Sequence, residues 1–371
     1  MKKIEFFKHN VGKEEKRAVA TCLDGRFLTT GGQTAKFERE FSFYTGVDWS
    51  LGTMSCTHAL ELALKCLGIG PGSSVITTPL TFAATTLAIL RVGAIPIWVD
   101  VSEHTGNMIP YPALYKNLQW GSRSAILPVH LYGQQLDVEG FAALADNYSA
   151  AFIEDAAHAL ECPSVGHYSD AACYSFYPTK SITCGEGGAV VTMNEELYNR
   201  MKINRTHGMS ADASDRYTTH FRHWDIVDLG MKCNMNDIQA SMLIPQLSKV
   251  QKYKKARRAI FERYYEAFCK NKNIRLLKVD WNTHAFHLFT ILVDPCKRDA
   301  ILEELQNRNI GVAVNYRSVN TLTAFKFMNK PRGSFPNAER IGDSTISLPL
   351  YPKLTRKEVE YIIKNVLEVV N

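Results

Sequence analysis

Apolar positions along the chain switch repeatedly between two periods. Thr57 to Leu67 carries them at helical spacing and stops at Gly68, whereas Ser74 to Thr78 is short and rich in β-branched residues. Helical spacing returns from Ala83 to Arg91, and Ile95 to Val99 reads as a second buried strand. The alternation continues with a strand over Ser124 to Val129, a helix near Val138 to Tyr148, and strands over Ala151 to Ile153 and Gly188 to Thr192. Short apolar strands separated by helices require a mostly parallel sheet with crossover helices on its faces. Residues 47 to about 242 are therefore predicted to form one doubly wound α/β unit.

Further along, a long amphipathic helix is predicted from Met235 towards Phe268, with its aromatics from Phe261 to Phe268 packed inwards. An antiparallel strand (Ala285 to Val293), a helix (Arg298 to Asn307), a strand (Gly311 to Asn315) and a last helix (Arg356 to Val369) follow. This divides the chain into an N-terminal arm with a large domain, residues 1–242, and a linking helix with a smaller α+β domain, residues 243–371.

Composition narrows the classes. With 46% hydrophobic and 22% charged residues among 371, the chain is that of a folded enzyme and not of a disordered or fibrous protein. The net charge of +6 is dispersed, and the basic stretch Lys249 to Arg258 reads as a solvated helix face, so no nucleic-acid partner is expected. Nine cysteines without a CxxC pair argue against a disulfide framework or a metal site. The start, Met1-Lys2-Lys3-Ile4-Glu5, has no signal-peptide apolar stretch, and no membrane span is predicted, so a cytoplasmic location is expected.

Candidate chemistry begins with Glu154-Asp155 at the end of an apolar strand, the edge where open parallel sheets bind ligands. Twenty-five residues after Asp155 stands Lys180, closely followed by Gly185-Glu186-Gly187-Gly188. A lysine that forms a Schiff base needs close backbone approach around it, and pyridoxal phosphate (PLP) also needs an acid that keeps its ring nitrogen protonated. Asp155 and Lys180 have the right types for that division. Ser55-Cys56-Thr57-His58 opens a predicted helix, where free backbone N–H groups favour a phosphate, and Ser175 is a second donor.

These segments resemble the DegT-type sugar aminotransferases of the PLP fold type I superfamily. The matching motifs include Leu28-Thr29-Thr30-Gly31-Gly32, Thr81-Phe82, Pro128-Val129-His130-Leu131-Tyr132-Gly133, Glu154-Asp155-Ala156-Ala157-His158-Ala159 and Ser175-Phe176-Tyr177-Pro178-Thr179-Lys180. Gly230-Met231-Lys232-Cys233-Asn234-Met235 and Ser347-Leu348-Pro349-Leu350 extend the likeness over nearly the whole chain. The resemblance implies that Lys180 holds the cofactor and shuttles the proton, that Asp155 faces the pyridine nitrogen, and that Phe82 and His158 approach the ring. Cys56, Thr57, His58 and Ser175 match the phosphate site. Asn234 matches a residue reaching the phosphate from the neighbouring subunit of a homodimer, with Lys232 beside it. Gly31, Lys232, Tyr316 and Arg317 fall on the substrate side.

The activity so implied is ping-pong transamination, from an amino donor such as L-glutamate through pyridoxamine phosphate (PMP) to a keto-sugar, expected to be nucleotide-linked. A cyclitol ketone or small phosphorylated ketone is the alternative acceptor. A PLP-dependent sugar dehydratase is disfavoured because those relatives replace the lysine with histidine, and a non-catalytic PLP-binding regulator is a further alternative.

His130, His207 and His287 are expected to be structural, and Glu186 to orient its loop. Departures from the family touch the substrate side. The 16 residues between His158 and Ser175 are about four fewer than the family pattern and include Glu161 where glycine is usual. Asn315 and Asn320 stand where histidine is common, and Cys56 where glycine or alanine is.

Overall fold

Seven strands form the central sheet in the computed structural model, which describes residues 2–112, 123–210 and 223–371. They are β1 (Trp49–Thr53), β2 (Ser74–Thr77), β3 (Ile95–Trp98), β4 (Ser124–Ile126), β5 (Ala151–Asp155), β6 (Ala171–Ser175) and β7 (Gly188–Thr192), in spatial order β1-β7-β6-β5-β4-β2-β3. From β3 to β6 the neighbours are parallel, and β7 pairs antiparallel with both β6 and β1. Successive side chains of β6 feed different layers. Ala171 and Cys173 pack with Leu60 and Leu64 of the Cys56–Cys66 helix, while Ala172 and Tyr174 pack with Phe37 and Phe41 of the Gly32–Thr45 helix. This two-layer burial is the α/β architecture of fold type I.

The Cys56–Cys66 helix shows how local sequence sets boundaries. Ser55 caps it, its Oγ accepting the His58 N–H at 3.2 Å. Gly68, at φ +77°, lets the Gly68 and Ile69 N–H groups turn back to the Lys65 and Leu64 carbonyls, which closes the helix.

Three predicted elements are corrected. The helix from Met235 to Phe268 is two helices, Asp237–Leu247 and Val250–Phe268. Pro245 cannot donate to the turn before it, and Lys249 bonds back to Gln246 three residues earlier, so the helix is interrupted at Ser248 and Lys249. The strand Ala285 to Val293 shortens to β8 (Phe289–Leu292), because Ala285 and Leu288 donate instead to the carbonyls of Gly133 and Tyr132. Gly311 to Asn315 makes one isolated bridge, Ala313 with Ser347, since Gly311 donates to Ile4. Three strands, β1, β6 and β9 (Thr345–Leu348), and the helices Lys13–Leu23, Gly32–Thr45, Glu195–Asn204 and Pro336–Ser344 add to the predicted set.

β8 pairs antiparallel with β9 (Thr345–Leu348). Around this pair, Phe261, Tyr264 and Phe268 join Ile301 and Leu305 of the Arg298–Asn307 helix and Ile362 and Val366 of the Arg356–Val370 helix in one core. No helix among the described residues is long and apolar enough to cross a membrane.

Candidate active site

β5 ends at Asp155 and its parallel neighbour β6 ends at Ser175, so both side chains reach the carboxyl edge of the sheet. A cleft of about 460 Å3 opens at this edge. Its walls bring together Cys56, Thr57, Phe82, Asp155, His158 and Ser175 with Lys180 and Tyr316.

Strand alternation separates the two acids. Glu154 points away from the cleft into a fully buried site, where it meets His130 Nε2 at 2.7 Å, the Gly166 N–H at 2.8 Å and the Ser169 hydroxyl at 2.6 Å. His130 Nδ1 accepts the Leu136 N–H, so the ring proton sits on Nε2 and is donated to Glu154. His130 is thus structural. His207 lies away from the cleft walls, its backbone N–H bonded to Met231, while His287 is buried against the His158 ring.

Asp155 faces the cleft. Its Oδ2 accepts from Thr85 Oγ1 at 2.8 Å and its Oδ1 from the Ala157 N–H at 3.1 Å, and none of the ion pairs among the described residues uses it. Burial pushes its carboxyl above the usual aspartate range, and these two donors and Lys180 pull it back. The Lys180 amine, half-buried in the same cleft, is brought from 10.5 down to about 8 by burial, against the opposing pull of Cys56 and Asp155.

His158 completes the far wall. Its Nδ1 accepts the Tyr132 N–H at 3.2 Å, which leaves Nε2–H to meet the Tyr316 hydroxyl at 3.1 Å. Burial, then Lys180, hold its pKa well below 6.5, so the imidazole is neutral and acts as a hydrogen-bonding wall. Phe82 is 61% exposed with its ring 5.7 Å from that of Tyr316, an aromatic face left uncovered inside the cleft.

The anion end of the cleft is the start of the Cys56–Cys66 helix. Ser55 is spent on the cap, so Cys56 and Thr57 present unpaired first-turn N–H groups. β7 can lie against this turn because Gly188 has no side chain: a Cβ there would come within 2.5 Å of the Cys56 nitrogen. Gly188 pairs with Ser175, which brings that hydroxyl beside the helix end.

Five predicted residues lie elsewhere, and the first is a correction: the His58 backbone N–H, expected at the phosphate, is taken by the Ser55 cap, and His58 is not among the cleft walls. Lys232 Nζ donates to Asn234 Oδ1 at 2.6 Å, Asn234 Nδ2 donates to Thr30, and the Gly31 N–H is held by Asp237 at 2.8 Å. This cluster stands outside this chain's own cleft walls, as does the exposed Arg317. The segment between His158 and Ser175 runs as turns ahead of β6, and its Glu161 is tied to the buried Arg257. Asn320 is likewise withdrawn, donating to the buried Glu339 at 2.8 Å, whereas Asn315 lines the cleft.

Sequence reading passed over Thr85, Tyr177 and Thr179 as cleft residues. A usable signal existed for Thr85: Thr81 and Thr85 are hydroxyl residues four apart at the start of the Ala84–Arg91 helix.

Comparison with known proteins places this geometry in a family. SpsC of Bacillus subtilis, a spore coat polysaccharide biosynthesis protein, is 35% identical over 372 residues, covering 97% of this chain and 95% of its own. Spr1654 of Streptococcus pneumoniae, solved in apo, PMP and PLP forms, matches in its apo form with TM-score 0.91 and 30% identity over 99% of this chain and 98% of its own. DesV of S. venezuelae, solved with a ketimine intermediate, gives TM-score 0.90 and 30% identity over 100% and 99% of the two chains. With the family model matched across residues 9–367, the chain belongs to the DegT/DnrJ/EryC1/StrS aminotransferase family.

Proposed function

We propose that this chain is a PLP-dependent aminotransferase that moves an amino group from an amino-acid donor, L-glutamate, to a keto-sugar carried on a nucleotide, with PMP as the aminated form of its cofactor. One observation carries the reading: a buried carboxylate that enters no ion pair among the described residues shares a cleft with an amine brought down to about 8. Both features fit a cofactor that has a cationic ring nitrogen and an aldehyde.

PLP, when bound, supplies a ring that accepts the electron pair freed at the amino-bearing carbon. Asp155 would provide the anion at the ring nitrogen. Lys180 Nζ, partly neutral near pH 8, can bond the aldehyde and, once released, carry a proton to or from the substrate carbon. Thr57, Ser175 and the helix start would hold the phosphate, and Phe82 with the neutral His158 would bracket the ring.

Gly31, Lys232 and Asn234 stand apart from this chain's own cleft, which supports their assignment to a neighbouring subunit's site in a homodimer. The cysteines are all unpaired, consistent with a reducing cytoplasm, and residues 1–242 and 243–371 serve as the large and small units of the enzyme. The short turns after His158 favour, as second reading, a smaller acceptor such as a cyclitol or phosphorylated ketone.

Purified protein given PLP should develop a visible absorption band that bleaches on addition of L-glutamate. A panel of nucleotide-linked 3-keto and 4-keto sugars, cyclitol ketones and phosphorylated ketones should then restore it with one class. Lys180→Ala should abolish band and turnover, and retained turnover with this variant would overturn the reading.

A further inference from the structure

Thr85 sits in the first turn of the Ala84–Arg91 helix and is 1% exposed. Its Oγ1 lies 2.8 Å from Asp155 Oδ2, 2.9 Å from Thr81 Oγ1 and 3.3 Å from the Phe82 carbonyl. A hydroxyl has one proton to give, and the ionised carboxylate is its nearest and strongest acceptor. With that proton committed, the contact between the threonines can be made only by the Thr81 hydroxyl donating to Thr85. Thr81 is itself buried, so the donors form an ordered relay, Thr81 to Thr85 to Asp155. The other oxygen, Oδ1, meets a donor that cannot reverse, the Ala157 N–H at 3.1 Å.

The titratable groups around the carboxylate are Lys180, His130, Cys56, Cys173 and Tyr316, and none of them hydrogen-bonds to it. His130 is turned to Glu154 instead. The two short-range contacts that favour the anion are therefore a fixed peptide N–H and the hydroxyl of Thr85.

We propose that Thr85, aligned from behind by Thr81, is a positioning residue that holds the Asp155 carboxylate ionised and turned into the cleft, ready for the cofactor's ring nitrogen. The inference rests on the PLP reading above, but the relay belongs to the protein alone. A protonated Asp155 would reverse it, giving its own proton to Thr85, and the test separates the two directions.

The experiment is a carboxyl 13C NMR titration of apo-protein labelled at aspartate, with the Asp155 signal identified by its loss in Asp155→Asn. Thr85→Val should raise the Asp155 midpoint by about one unit, a tenfold gain in proton affinity, while Thr85→Ser keeps the wild-type midpoint. In the PLP-loaded enzyme the same valine variant should lose about tenfold in kcat and shift the acid limb of the pH profile upwards, with serine again restoring both. An unchanged or lowered midpoint in Thr85→Val, or an equal change in serine and valine variants, overturns the proposal. Should Thr85→Val not fold, Thr81→Val interrogates the relay from its far end: a smaller upward shift is expected, and no shift refutes it. Failure of the wild-type protein to take up PLP would sink the aminotransferase reading separately, because the apo titration needs no cofactor.

Discussion

Capture of PLP by apo-protein should follow the ionisation of Lys180, and the structure sets where. Burial moves this amine from 10.5 to about 8. That displacement corresponds to about 3 kcal/mol against the charged form at 1.36 kcal/mol per unit, an upper figure because the side chain retains some exposure to the cleft. At pH 7.5 a lysine titrating near 8 is about one quarter neutral, against about 0.1% for an ordinary lysine, so roughly two hundredfold more of the nucleophile is available. Stopped-flow growth of the visible band after mixing apo-protein with PLP, between about pH 6.5 and 10, measures this directly. The rate should climb and level off near pH 8. Asp155 opposes the depression, so Asp155→Asn should move the midpoint lower still. A rate that keeps rising to pH 10 in the wild type would refute the reasoning. The sign for folding follows as well: the folded state binds fewer protons than the unfolded chain between about pH 8 and 10.5, so this group's contribution to stability grows as pH rises through that window.

Asp155→Ala should cut turnover by several orders of magnitude while the fold persists, since the ring nitrogen loses its counter-anion; a wild-type rate would show that another acid does the work. Glu154→Ala should leave His130 and two donors unpaired in a fully buried site, at a cost of about 3 kcal/mol in urea unfolding, and a loss below about 1 kcal/mol would contradict the hydrogen-bond assignment. Asn234→Ala should weaken PLP affinity with the oligomer intact, and unchanged affinity in equilibrium dialysis would count against its assignment to a neighbouring subunit's site.

The parallel sheet was legible because its strands are short, apolar and punctuated: Ile95 to Val99 and Gly188 to Thr192 could be placed within one residue of their observed ends. β6 escaped because Ala171-Ala172-Cys173 lacks the β-branched signature, its strand character coming from burial between two layers. Ala285 to Leu288 carried strand-like composition but spends its N–H groups on Gly133 and Tyr132, a tertiary choice that no local pattern encodes. The site divides the same way. Lys180, Asp155 and Ser175 announce themselves by residue type and motif, and Asp155 also by its position at a predicted strand end. Thr85 acquires its role only through a hydroxyl 70 positions from the carboxylate it serves. Arg317, expected on the substrate side, is exposed and stands outside the cleft walls, because proximity to Tyr316 in sequence does not fix the direction of a side chain in irregular backbone.

The adjacency of Glu154 and Asp155 on opposite faces of β5 has an evolutionary edge. Insertion or deletion of one residue in that strand would exchange them, sending the longer acid into the cleft and leaving the shorter one to face His130 across a gap. Both stability and chemistry would fail in a single event. The length of this strand is therefore policed twice over, once by the fully buried pocket that holds Glu154 and once by the cleft that Asp155 faces.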